Sequence, residues 1–94
     1  MDSKTEEFYK RLKLELENGA TYPLPYLFKF IVPTSNHNIA RVESAFDLMG
    51  AVIQTNTSKT GKFTSVSVSV TMPSSQSIID KYIEVSDIEG IVSL

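Results

Sequence analysis

The chain has 94 residues, 41% of them hydrophobic and 21% charged, with a formal net charge of −2. That is the composition of one small globular domain, residues 1–94, with a thin core. The slight acidity disfavours nucleic acid, which calls for a basic stripe, and the absence of cysteine removes disulfides and thiolate metal sites. The N-terminus is charged and lacks an apolar signal core, and no apolar run approaches the roughly 18 residues that cross a bilayer. A soluble cytoplasmic protein with no membrane or nucleic-acid partner is expected.

In chain order, residues 5–18 predict a helix. Phe8, Leu12 and Leu16, with Tyr9 beside them, form a narrow apolar stripe. Glu6/Lys10, Glu7/Arg11 and Lys13/Glu17 are spaced for i,i+4 charge pairs, and Gly19 is placed to end the helix. Tyr22-Pro23-Leu24-Pro25 is an extended lead-in, because proline fixes φ and biases its predecessor away from helix. A strand follows over 26–32. It sets Tyr26, Phe28, Phe30 and Val32 on one face and Leu27, Lys29 and Ile31 on the other, the pattern of a central strand. Pro33 ends it.

Residues 34–38, TSNHN, are capping residues ahead of a second helix over 38–49, with Ile39, Val42, Phe46 and Met49 inward and Gly50 closing it. A strand over 51–57 puts Val52 and Ile53 on opposite faces. Residues 58–62 join it to the cleanest strand of the chain, 63–72, where Val66, Val68, Val70 and Met72 alternate with Ser65, Ser67, Ser69 and Thr71. After Pro73, Ser74 and Ser75 are set to cap a third helix to residue 85, with Ile78, Ile79, Tyr82 and Ile83 inward. Residues 88–94 predict a last short strand. The order after the first helix is βαββαβ. The fold class is therefore α+β, a ferredoxin-like sandwich with a four-stranded antiparallel sheet and two helices on one face. The N-terminal helix (1–19) is an addition to that core (20–94).

The motifs exclude more than they assign. Gly61-Lys62 lacks the earlier glycine, the Ser or Thr after lysine and the following helix of a phosphate loop. An RNA-recognition sheet needs outward aromatics, but serines and a threonine alternate there and only Phe63 is free to stack. His37 stands alone in a capping segment, with no second histidine or cysteine to complete a metal site. Asp80, Lys81 and Glu84 read as an exposed helix face, and Asp87 and Glu89 as solvated turn charges. No nucleophile–base pair, metal cluster or cofactor loop is visible, so neither an enzyme nor a bound cofactor is expected. Lys59 and Lys62 flank a hairpin tip. They serve either to keep that edge soluble or to meet an anionic ligand or acidic partner. Leu27, Ile31, Ile53 and Phe63 are candidates for a contiguous apolar patch on the open sheet face, to be covered by the N-terminal helix or by another protomer.

Two segments, YPLPYLFKFIV (22–32) and SKTGKFTSVSV (58–68), resemble the YbeD-like family of small bacterial proteins, which carries a similar Ser-Lys-Gly-aromatic-x-Ser-Val-x-Val signature. Tyr82 and the apolar end at 91–94 also fit, and the likeness covers about residues 20–94. Thr60 is inserted here between Lys59 and Gly61, and Phe63 stands where tyrosine is usual. The resemblance implies a ferredoxin-like fold similar to ACT regulatory domains, which bind small molecules such as amino acids. On that basis the expectation is a non-enzymatic regulatory or sensing module for a small metabolite or a metabolic enzyme. The alternative is a protein-interaction or dimerisation adaptor without a small ligand. The candidate contact residues for either are Lys59, Gly61, Lys62, Phe63 and Ser65.

Overall fold

The computed structural model describes residues 2–94. Its elements are α1 (Ser3–Glu17), β1 (Leu24–Pro33), α2 (Asn36–Ala45), β2 (Val52–Thr57), β3 (Phe63–Met72), α3 (Ser75–Val85) and β4 (Val92–Ser93). The strands make one antiparallel sheet in the order β2-β3-β1-β4, which is the ferredoxin-like arrangement with α1 added ahead of it.

β1 and β3 pair along their whole length, from Leu24 opposite Met72 to Pro33 opposite Phe63. Directly paired residues share a face, and faces alternate along a strand. Phe28, Phe30 and Val32 therefore stand with Val68, Val66 and Thr64, and all six are fully or almost fully buried. Val42 and Ala45 from α2, Phe46 just after it, Ile78, Tyr82 and Val85 from α3, and Ile88 close over them. Phe28 is the hub: its ring lies 4.7 Å from Tyr26, 4.9 Å from Phe46 and 5.3 Å from Tyr82. Burial of each such side chain contributes roughly 1.5–3 kcal/mol.

The helix starts follow local chemistry. Asp2 accepts from the Thr5 amide, Ser35 from the Asn38 amide, and Ser74 forms a reciprocal capping box with Ser77. Ser75 is not a cap; it is buried, and its hydroxyl donates to the Glu17 carboxylate at 2.8 Å.

Four expectations change. α2 stops at Ala45 rather than at residue 49. The Phe46 and Asp47 amides tighten onto the Glu43 and Ser44 carbonyls, Leu48 takes a left-handed φ of 61°, and the Lys81 ammonium from α3 caps the Ala45 carbonyl. Apolar periodicity continues to Met49, which still packs on the core, but the chain has to turn there to bring Val52 to the sheet edge. The last strand shrinks to Val92–Ser93, because Ile88 is taken into the core and Gly90, at φ +80°, passes against the Pro33 ring. In α3, Val85 is buried, whereas Ile83 is half-buried and borders α1. Ile53 pairs with Val68 on the core face, so Val52 rather than Ile53 lies on the open face.

α1 docks on α3 and so extends the helical layer. Tyr9, Leu12 and Leu16 pack half-buried against the core, the Tyr22 hydroxyl donates to the Leu16 carbonyl at 2.7 Å, and no residue of α1 is fully buried. The three charge pairs expected along α1 do not close within 4.0 Å. Among the described residues the ion pairs are Arg41–Asp87 and Lys81–Glu84.

Candidate functional site

Three places could carry a function: the hairpin tip, the open face of the sheet, and a cavity under α1. At the tip, the Gly61 amide donates to the Ser58 carbonyl at 2.9 Å, and the Ser58 hydroxyl accepts from the Phe63 amide at 3.2 Å. Gly61 sits at φ +75°, a conformation that glycine adopts without steric cost. Ser58 and Gly61 thus build the turn itself. The Lys62 carbonyl accepts from the Thr34 amide at 2.9 Å, which ties the tip to the end of β1. Lys59, Gly61 and Lys62 are exposed, and among the described residues neither lysine has an acidic partner within ion-pair distance. Phe63 and Ser65 lie beside Ile31, Asn56 and Ser58 in a shallow depression of about 220 Å³. The five candidate contact residues therefore share one corner of the molecule, on the tip and the adjoining open face.

The open face is not one apolar patch. Leu27 (58% exposed), Val52 (62%), Phe63 (49%) and Val92 (50%) are all accessible, and α1 is docked elsewhere. The register, however, groups them in separate rows. Val52, Ser69 and Leu27 form one row at one end. Ile31 and Val92 pair near the other end, one row from Phe63 and Pro33. Gln54, Ser67 and Lys29 form a polar row between them. The alternation of serine and valine in β3 is what lays that polar strip down the middle.

An apolar cavity lies on the opposite face, between α1, α3 and residues 91–94. It has a volume of about 370 Å³, within the roughly 300–1,000 Å³ typical of small-molecule sites. α1 supplies Phe8, Tyr9 and Leu12; α3 supplies Tyr82, with its C-cap Ser86 beyond it; Tyr26 comes from β1, and Ile91, Ser93 and Leu94 close the edge. The Tyr26 and Tyr82 hydroxyls meet at 2.9 Å. Burial, with the Tyr26 hydroxyl second, pushes the Tyr82 hydroxyl well above the ordinary tyrosine value of 10.0, so it stays neutral at physiological pH. Sequence reasoning placed both tyrosines on core faces but did not join them, since they lie 56 positions apart. The available signal was the residue type: a buried tyrosine brings an apolar ring and a hydroxyl that must find a partner.

Other charges are structural. The Arg41 guanidinium donates to Asp87 at 2.7 Å and holds that carboxyl below its ordinary value, so Asp87 is paired and not simply a solvated turn charge. Lys81 is drawn off the exposed helix face. It caps α2, pairs with Glu84 at 3.0 Å and lies 5.6 Å from the centre of the Phe46 ring. His37 is exposed in the first turn of α2. Among the described residues no group of three or more His, Cys, Asp or Glu side chains is gathered to hold a metal ion, and no helix is long and apolar enough to cross a membrane.

Comparison with known proteins gives one family: residues 17–94 match the model described as protein of unknown function (DUF493). The matched stretch takes in the whole ferredoxin-like core and leaves all of α1 but its last residue outside. No curated protein and no solved structure matches the chain.

Proposed function

The chain belongs to this family, the YbeD-like proteins to which its signature pointed, and on that premise we propose that it is a non-enzymatic cytoplasmic regulatory or sensing module, with its ligand site in the cavity beneath α1. The observation that carries this reading is the convergence of two tyrosine hydroxyls, 2.9 Å apart, on an apolar recess of about 370 Å³. Apolar walls with a few placed polar groups are the usual make-up of a small-molecule site. One wall is a helix without a single fully buried residue, so occupancy has a ready way to alter the surface that a partner meets.

A thermal-shift panel of metabolites tests this, with Leu12→Trp as the variant that fills the recess. A ligand at one hundred times its Kd adds about 2.7 kcal/mol, a rise in Tm on the order of 10 °C for a domain of this size. The shift should vanish in Leu12→Trp. A broad panel without any shift, or a shift that the filled variant retains, refutes the assignment.

The second reading is an interaction adaptor. It is favoured by the half-exposed group of Ile31, Phe63 and Val92 next to Lys59 and Lys62. An adaptor working through that corner should lose its partner or its self-association in Lys59→Glu/Lys62→Glu and in Phe63→Ser, measured by sedimentation. Association that survives all three changes rules the corner out.

A further inference from the structure

We propose that the cavity under α1 selects a ring-bearing small molecule with one hydrogen-bond acceptor and no negative charge, and that it turns away amino acids, phosphates and other anions. This rests on the reading of that cavity as the ligand site and narrows what the site can take. The first observation is electrostatic. Every side chain lining the recess is apolar, a tyrosine or a serine, and none is ionisable near neutral pH. An anion brought there gives up hydration and finds no basic side chain in the lining, which is the costly case of burial. A zwitterionic amino acid, the ligand type implied by the ACT likeness, would need partners for both of its charges.

The second observation is a proton count. In the Tyr26–Tyr82 pair one hydroxyl donates and the other accepts, whichever way round they are. The accepting hydroxyl keeps its own proton, and the pair therefore has a single donor left for a ligand. One carbonyl, ether or hydroxyl oxygen answers it. The third observation is shape. Phe8 and Tyr9 meet edge to face at 5.5 Å on the α1 side, opposite the Tyr26 and Tyr82 rings, so the walls offer ring faces and edges to another ring. The volume lies near the lower end of the range for small-molecule sites, which suits one ring rather than a large cofactor.

The probes are acetophenone (neutral, one acceptor), ethylbenzene (the same ring without the acceptor) and benzoate (anion), titrated by NMR into the full chain. Acetophenone should move the Leu12, Tyr26 and Tyr82 resonances and bind at least about tenfold more tightly than benzoate. The double variant Tyr26→Phe/Tyr82→Phe should weaken acetophenone by roughly fivefold and leave ethylbenzene unchanged. The proposal is overturned if benzoate binds as well as acetophenone, or if the double change weakens both neutral probes alike. Shifts that map to Leu27 and Phe63 on the open face also overturn it, as does silence to every probe. So do shifts of the cavity residues with protein concentration alone, which would mean that a second copy sits there. Charge selectivity is measured on the unaltered protein and does not depend on the variants folding. An anionic metabolite that stabilised the protein through this cavity would overturn the selectivity and leave the sensing role intact, whereas no stabilisation by any compound would end both.

Discussion

Alkaline pH should destabilise this protein through Tyr82, and Tyr82→Phe should abolish that component. The Tyr82 side chain is buried with its hydroxyl on that of Tyr26, and burial raises its pKa above the unfolded value of about 10. Above pH 10 the unfolded chain gives up this proton and the folded chain keeps it. The folded state then binds one proton more, so unfolding free energy falls by about 1.4 kcal/mol per pH unit. The raised folded pKa means that the stabilisation is complete below about pH 10 and is lost as the pH climbs beyond it. At about pH 11 the loss should be close to 1.4 kcal/mol. At neutral pH Tyr82→Phe removes one hydroxyl–hydroxyl bond, worth about 0.5–1.5 kcal/mol. The cost should fall at the low end, because Tyr26 is only part-buried and lines the cavity, so that its hydroxyl can turn to water. Urea melts of both proteins at about pH 8, 9.5 and 11 give the comparison, and the difference between the two curves cancels the lysines and the remaining tyrosines. If the two proteins lose stability in parallel up to about pH 11, Tyr82 is not held protonated by burial and the account of the tyrosine pair is wrong.

Gly90→Ala should cost about 2 kcal/mol, a fall in Tm on the order of 10 °C by calorimetry, because an added Cβ would stand 2.7 Å from the Pro33 ring at a φ of +80°. An unchanged Tm would mean that the 88–91 turn is not pressed on β1. Leu48→Asn should stabilise by about 0.5–1 kcal/mol, since Leu48 is fully exposed at φ 61° and asparagine accepts that conformation more readily. A lower Tm in this variant would show that Leu48 makes a contact in solution. The amides of α1 should exchange with solvent ahead of those of β1 and β3, because no α1 residue is fully buried. Equal protection of Leu12 and Val68 would contradict the picture of a lightly docked helix.

Much of the scaffold was legible because its signals are local. The period-2 run of β3 gave its buried face residue by residue, Val66, Val68, Val70 and Met72. The capping residues at 34–38 and 74–75 marked where helices begin, and within them the Ser35 and Ser74 hydroxyls serve amides three residues on. Ser58 and Gly61 were visible in the family signature, and the structure gives them a physical task in the turn. The end of α2 was not legible: its periodicity runs on to Met49, whereas the cap that stops it is Lys81, 36 positions beyond Ala45.

The cavity was hidden for the same reason. Sequence alone determined the strand and helix order, the inward faces of the sheet and the family, since each depends on neighbours a few residues apart. Only the tertiary structure decided that α1 lies on α3 rather than over the open face, that Gln54, Ser67 and Lys29 divide that face, and that Tyr26 and Tyr82 meet across 56 residues. Those outcomes depend on which surfaces the folded core leaves uncovered. Residue spacing along a chain carries no record of that, because the contacts exist only once the sheet has closed on its helices.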